Sequence, residues 1–164
     1  MKQFCWALFL LFSTLAYAKG GLSLYNLHLK EGITAEYRKI DGSYDSKAIE
    51  KIAHTLRCRQ TQATHEIPAG LLELLSHIQD HFGGKIIQVV SGYRSPALNE
   101  DLRRHGHRVA KKSLHMEGKA IDIRIAGVLT RVLRDYALEL KMGGVGFYPE
   151  NDFVHVDVGQ VRRW

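Results

Sequence analysis

The sequence predicts one α+β domain, and three observations carry that expectation. Helical and strand periodicities are mixed without the regular alternation of a parallel βαβ sheet, no repeat or linker divides the chain, and residues 19–164 make about one ordinary domain. The first eighteen residues stand apart: Lys2, an apolar stretch from Phe4 to Leu15, then Ala16, Tyr17 and Ala18. They form the pattern of a secretory signal peptide cleaved after Ala18, and the apolar stretch falls short of the roughly 20 residues that span a bilayer. Cys5 lies near the start of that stretch, not behind it where a lipid-bearing cysteine would stand. With the leader removed, Cys58 is the only cysteine, so no intrachain disulfide is expected and the fold must rest on its core.

Residues 22–44 alternate loosely (Leu22, Leu24, Leu27, Leu29, then Ile33, Ala35, Tyr37) around Glu31 and Gly32, predicting two or three short strands in an N-terminal extension, 19–44. Asp45 and Ser46 are candidate caps for a helix reaching Arg57, with Ala48, Ile49, Ile52, Ala53 and Leu56 on its apolar side. Pro68 suits the first turn of a second helix running to Phe82, whose stripe is Leu71, Leu74, Leu75, Ile78 and Phe82; Gly83 and Gly84 stop it. A strand over 85–90 leads into Ser91-Gly92-Tyr93-Arg94-Ser95-Pro96, and Pro96 begins a third helix to Arg104. Further strands are expected over 119–125, 145–148 and 153–158, with a helix over 129–140.

Lys and Arg number 23 against 17 Asp and Glu, a formal charge of +6. That mild excess suits an anionic partner without naming it. The basic residues are dispersed apart from Arg103-Arg104, Lys111-Lys112 and Arg162-Arg163. No aromatic and basic interleaving marks a surface for stacked bases, so nucleic acid is not the expected partner. No segment after the leader is apolar enough to span a membrane, so no stable membrane insertion is expected once it is removed.

The strongest local signal runs from Ser113 to Asp122. In a strand over 119–125 the period of two puts Ile121, Ile123 and Ile125 on one face and Ala120, Asp122 and Arg124 on the other. The same arithmetic puts Val154, Val156 and Val158 opposite Phe153, His155 and Asp157. If these strands are neighbours, Asp122 and His155 reach one cation, with His115 delivered from the preceding turn and Gly118 giving the chain room to bend. Two imidazoles and a carboxylate suit zinc and leave a fourth position open for water, as catalytic zinc requires. Other divalent metals accept such a set too. On spacing alone a blander reading also stands, in which His115 is a turn residue and Asp122 and Asp157 are solvated strand positions.

Taken together, His115-x-x-Gly118-x-Ala120-x-Asp122, the upstream Ser91 to Ser95 segment and the late Phe153-Val154-His155-Val156-Asp157 resemble the D-Ala-D-Ala group of zinc peptidases. More closely, the chain is similar to the periplasmic murein endopeptidase branch once filed as a domain of unknown function. The resemblance covers a family-like core, residues 45–164. It implies a hedgehog-like architecture, a small antiparallel sheet flanked by helices with the metal on its polar face. It further implies hydrolysis of amide bonds in peptidoglycan stem peptides or their cross-links, with Zn2+ held by His115, Asp122 and His155. Arg94 would steady the scissile carbonyl or a substrate carboxylate, and Ser113 would help bind substrate. Relatives of this architecture carry an acid three positions before the last histidine, the place of Asp152. Asp157, on the strand face of His155, is the rival for general base or is a support for the histidine. Arg94 has a plainer alternative, an ion pair with a surface carboxylate. With the leader, the resemblance implies an exported, periplasmic enzyme. Three functions compete: a cross-link endopeptidase, a D,D-carboxypeptidase or dipeptidase, and a non-catalytic wall-binding domain.

Other signals are weaker. His77 and His81 have the four-residue spacing of a helical zinc pair but lack the glutamate of HExxH. His105 and His107 lie in a basic, loop-like edge. Ser91 and Ser113 lie in no nucleophile elbow. Cys58 is expected to be buried as a small apolar residue.

Overall fold

The computed structural model describes residues 20–107 and 109–164; the predicted signal peptide lies outside them. Seven strands and four helices follow in the order β1 (Gly21–Asn26), β2 (Glu31–Glu36), α1 (Ser46–Thr55), α2 (Ala69–His81), β3 (Ile87–Ser91), α3 (Pro96–Arg104), β4 (Ala120–Ile125), α4 (Thr130–Leu140), β5 (Gly144–Tyr148), β6 (Phe153–Asp157) and β7 (Arg162–Arg163). Short 3-10 turns occupy Leu114–Glu117 and Pro149–Asn151. The α+β expectation holds. Among the described residues no helix is long and apolar enough to cross a membrane.

The strands form one sheet in the order β2-β1-β3-β4-β6-β5-β7. It is larger than the small antiparallel sheet expected, and two of its pairings, β1 with β3 and β5 with β7, are parallel. The predicted N-terminal extension is no appendage, because β1 lies inside the sheet between β2 and β3.

Local chemistry sets the element ends. Asp45 caps α1 by accepting from the Ala48 amide at 3.1 Å, a contact worth about 1 kcal/mol in such positions. That helix ends at Thr55, two residues earlier than predicted, where the Arg57 amide turns back to the His54 carbonyl. Pro68 precedes α2 as its cap residue, one position before the first turn. Ser95 caps α3, and Pro96 starts it as predicted.

The aliphatic faces of the strands, Leu22, Leu24, Ile87, Val89, Ile121, Ile123, Val154 and Val156, share one core with Ile52 of α1, Leu71, Leu75 and Ile78 of α2 and Leu133 of α4. Helices therefore cover one face of the sheet, leaving the other to present polar groups. His77 and His81 belong to this framework: the His81 ring stacks on Tyr136 at 3.6 Å, and the Tyr136 hydroxyl donates to the His77 carbonyl. Cys58 is buried, as expected.

One polar residue ties a helix to the sheet. Gln79, 4% exposed, accepts from the Ser23 amide at 2.9 Å and donates to the carbonyls of Ser23 and Lys85 at 3.1 and 2.8 Å. Replacing it with the similarly shaped methionine strands three backbone groups, so Gln79→Met should cost about 1–3 kcal/mol. Urea titration should show a lower midpoint with an unchanged slope.

Candidate metal centre

Pairing registers align a row of residues across the polar face: Ser91 opposite Asp122, Asp122 opposite His155, and His155 opposite Gly146. The row crosses the last residue of β3 and the middle of β4, β6 and β5, so neighbouring strands deliver side chains to one place on the polar face. His115 reaches the same place from the 3-10 turn before β4. Ser113 caps that turn, and Gly118 closes it with φ +65, a left-handed conformation that suits glycine. A Cβ there would also collide with the Glu66 carbonyl oxygen.

The three predicted ligands come together. His115 Nε2, His155 Nδ1 and Asp122 Oδ1 lie 3.2, 3.1 and 2.9 Å apart, and all three residues are buried. A tetrahedral zinc with ligands at about 2.0–2.1 Å has donor separations of about 3.3–3.4 Å. The donor set thus fits a small divalent cation, with a slight expansion. Each histidine also has its remaining nitrogen engaged. His115 Nδ1 meets the Gly92 carbonyl at 2.8 Å and donates to it, which leaves Nε2 as the donor for a metal. His155 Nε2 faces Asp157 Oδ2 at 3.2 Å, which leaves Nδ1 for the same purpose.

Asp157 is wholly buried and fully occupied. Its Oδ1 accepts from the amides of Gly144 and Gly159 at 2.9 and 2.8 Å, and its Oδ2 receives Arg162 at 2.9 Å. Burial alone would raise its pKa, but the bonds from His155 and the two glycine amides hold it below the usual carboxylate value. The same balance governs the cluster itself. Asp122 is kept well below the ordinary range against its burial by His115, His155 and Arg94. Burial pulls the His115 imidazole down, whereas at His155 the bonds to Asp122 and Asp157 overcome burial and raise it.

Arg94 is buried and bound inward. It donates to Ser91 Oγ at 2.9 Å and makes a short ion pair with Asp122 Oδ2, while its amide donates to the His115 carbonyl. The carboxylate it meets is the predicted metal ligand, not a surface group. Ser113 lies on the cleft wall, and its hydroxyl accepts from the His115 amide at 3.4 Å. Asp152 is not brought to the cluster. It adopts a left-handed conformation just before β6, and its exposed carboxylate approaches Arg124 at 3.4 Å, in a neighbouring concavity.

The cluster opens on a cleft of about 1230 Å³ bordered by His28, Arg59, Leu98, Lys112, Tyr148 and Trp164 among others. Trp164 carries no signal in the sequence, because it follows a strand of only two residues, too short to show a period. Its backbone pairs with Val145 and Phe147 of β5, and its ring lies 5.2 Å from that of His155. Gly146 makes the room, since a Cβ there would stand 2.6 Å from the indole. The indole nitrogen donates to the Tyr148 hydroxyl at 2.8 Å.

The buried two-histidine, one-aspartate set on the polar face of a helix-backed sheet agrees with the zinc peptidases of the D-Ala-D-Ala group that the sequence motifs resemble. Sequence comparison narrows this: residues 15–164 match the model of a family described as peptidoglycan L,D-endopeptidase MepK, and the chain belongs to that family. It is 40% identical to the peptidoglycan L,D-endopeptidase MepK of Escherichia coli (strain K12) over 145 residues, 87% of this chain and 79% of that protein. The probable peptidoglycan L,D-endopeptidase MepK of Haemophilus influenzae is 37% identical over 145 residues, 87% of this chain and 77% of its own. The match includes β1 and β2, beyond the core to which the sequence motifs pointed.

Because Asp157 fixes the His155 ring while Asp152 touches neither histidine, the two acids should separate by substitution. Asp157→Asn should weaken metal binding about 10- to 100-fold in a competitive chelator titration. Asp152→Asn should leave it unchanged.

Proposed function

We propose that the protein is a zinc-dependent peptidoglycan endopeptidase that hydrolyses peptide cross-links of the bacterial cell wall, with the L,D-selectivity that its relatives' names carry. The observation that carries this reading is the convergence of His115 Nε2, Asp122 Oδ1 and His155 Nδ1 at the floor of a long cleft, in a chain of this peptidase family. Two imidazoles and one carboxylate favour zinc and leave coordination open toward the cleft. When bound there, zinc would polarise a scissile carbonyl and lower the pKa of a water toward about 7.

The remaining work belongs to the chain's own residues. The Gly92 carbonyl and Asp157 hold the two imidazoles in the tautomers that bind metal. Arg94 fixes one oxygen of Asp122, which leaves the other oxygen for the cation, and the two histidines together with Arg94 hold the carboxylate ionised. Asp157 acts through His155 and has no oxygen left for a proton from water, so we assign it positioning and not general-base duty. Asp152, paired with Arg124 outside the cleft, is assigned no part in proton transfer. Ser113 shapes the turn that presents His115.

Cross-link cleavage is favoured over trimming of stem ends because the cleft runs past the cluster on both flanks, from His28 and Arg59 to Tyr148 and Trp164. An extended substrate passes through such a trough, whereas an end-trimming enzyme needs a closed pocket. We further propose that residues 1–18 direct export to the periplasm and that residues 19–164 act as one domain.

Purified residues 19–164, incubated with peptidoglycan and analysed by mass spectrometry of the released muropeptides, test this reading. Cross-linked dimers should disappear, a chelator should stop the loss, and zinc should restore it. His155→Ala should reduce cleavage to background, and Asp157→Asn should slow it at least about 10-fold. Asp152→Asn should remain within about 2-fold of the parent. Release of single terminal residues with dimers left intact would replace the endopeptidase with a trimming enzyme.

A further inference from the structure

The two flanks of the cleft differ in chemistry. From β6 outward in the strand order the wall is aromatic: Phe153 of β6 and Tyr148 of β5 stack at 4.6 Å, and Trp164 follows. On the opposite flank, next to β3, the wall carries the cation Arg59, from the loop after α1, beside the His28 imidazole, from the turn after β1.

Three arginines line the cleft, and two are neutralised there, Arg94 by Asp122 and Arg162 by Asp157. Arg59 is different. Among the described residues no carboxylate meets its guanidinium; Nη1 lies instead 2.6 Å from His28 Nε2. Its neighbour Arg57 shows what the same loop does when an acid is at hand, gripping both oxygens of Glu31 at 2.7 and 2.8 Å.

Both side chains are exposed, yet the backbone beneath them is fixed. The Cys58 amide donates to the Ala63 carbonyl, the Gln62 amide to that of Cys58, and the Gln62 side chain to that of Arg59. The Cys58 thiol donates to Ser95 Oγ at 3.4 Å, which ties this loop to the residue after Arg94. On the other side, buried Asn26 accepts from the amides of His28 and Leu29 at 3.0 and 3.1 Å and donates to the Thr55 carbonyl at 2.8 Å. A planar guanidinium on a pinned loop, one of whose N–H groups is held by His28 Nε2 as acceptor, keeps its remaining N–H donors for two-point recognition of a carboxylate.

Resting on the endopeptidase reading, we propose that Arg59 and His28 form a subsite that binds a free carboxylate of the stem peptide while the cleaved bond lies over the His115, Asp122 and His155 cluster. The carboxylate comes either from a side chain of a diamino diacid or from the end of a stem, and the two sources share this chemistry. The subsite orients the peptide across the sheet, with its carboxylate toward β1 and its other part toward the aromatic wall.

Steady-state kinetics of the zinc-loaded protein and its Arg59→Gln and Arg59→Lys variants test this, on three cross-linked muropeptides: unmodified, amidated at the side-chain carboxyl, and amidated at the stem terminus. Arg59→Gln should raise KM on the unmodified substrate about 10-fold with kcat within about 2-fold, and Arg59→Lys should recover part of the loss. The amidated substrate that lacks the recognised carboxylate should show the same raised KM with the parent protein and no further change with Arg59→Gln. Whichever amidation does so identifies the source. An equal penalty from Arg59→Gln on all three substrates, or none on any, overturns the subsite. Calorimetric binding of the same muropeptides to His155→Ala, with and without Arg59→Gln, keeps the subsite testable without turnover. Absence of cleavage by the parent defeats the endopeptidase reading alone, whereas binding indifferent to Arg59 and to both amidations defeats the subsite.

Discussion

A carboxylate buried at 3% exposure in the middle of a sheet is the constraint around which this structure is organised. An ionised Asp122 in that position would be costly unless several partners replaced the water it loses. Arg94, His115 and His155 meet it from three separate segments, so the Ser91 to Ser95 stretch, the turn before β4 and the strand β6 must all be in place at once. The backbone reinforces this. Gly92 receives one histidine and the Arg94 amide meets the carbonyl of the same residue, so the loop after β3 and the turn before β4 are stitched twice.

Around that centre lies a second set of contacts whose purpose is orientation. Asp157 takes no place among the candidate metal donors, yet four partners fix its two oxygens. A cation bound by Asp122 and His155 would join β4 to β6, and through His115 both strands to the turn. Metal binding would therefore be linked to the folding of this part of the sheet.

Much of the site was legible in sequence because strand periodicity alone separates Asp122 from Ile121 and Ile123, and His155 from Val154 and Val156. The neighbouring of β4 and β6 then followed from a condition, that both polar faces serve one ion. Other features depend on relations that no local pattern records. The parallel insertion of β1 beside β3, which brings His28 to the cleft, has no trace in the alternation of residues 22–44. The place of Asp152 is set by one left-handed residue that aims its side chain at Arg124, and counting back three positions from His155 does not reveal it. Arg94 was visible as part of a motif, but its partner could be known only once Ser91 and Asp122 were seen to be opposite each other.

The last strand bears on how the molecule keeps its own company. Open sheet margins invite other chains to continue the ladder, and proteins resist this with short, charged border strands. β7 is two residues long, with Arg162 paired to Asp157 and Arg163 exposed, so a second copy approaching this border finds little backbone to pair with and meets the charge of Arg163. An insertion that lengthened β7 with apolar residues would give the border a sticky edge and turn a wall of the cleft into a seam for self-association.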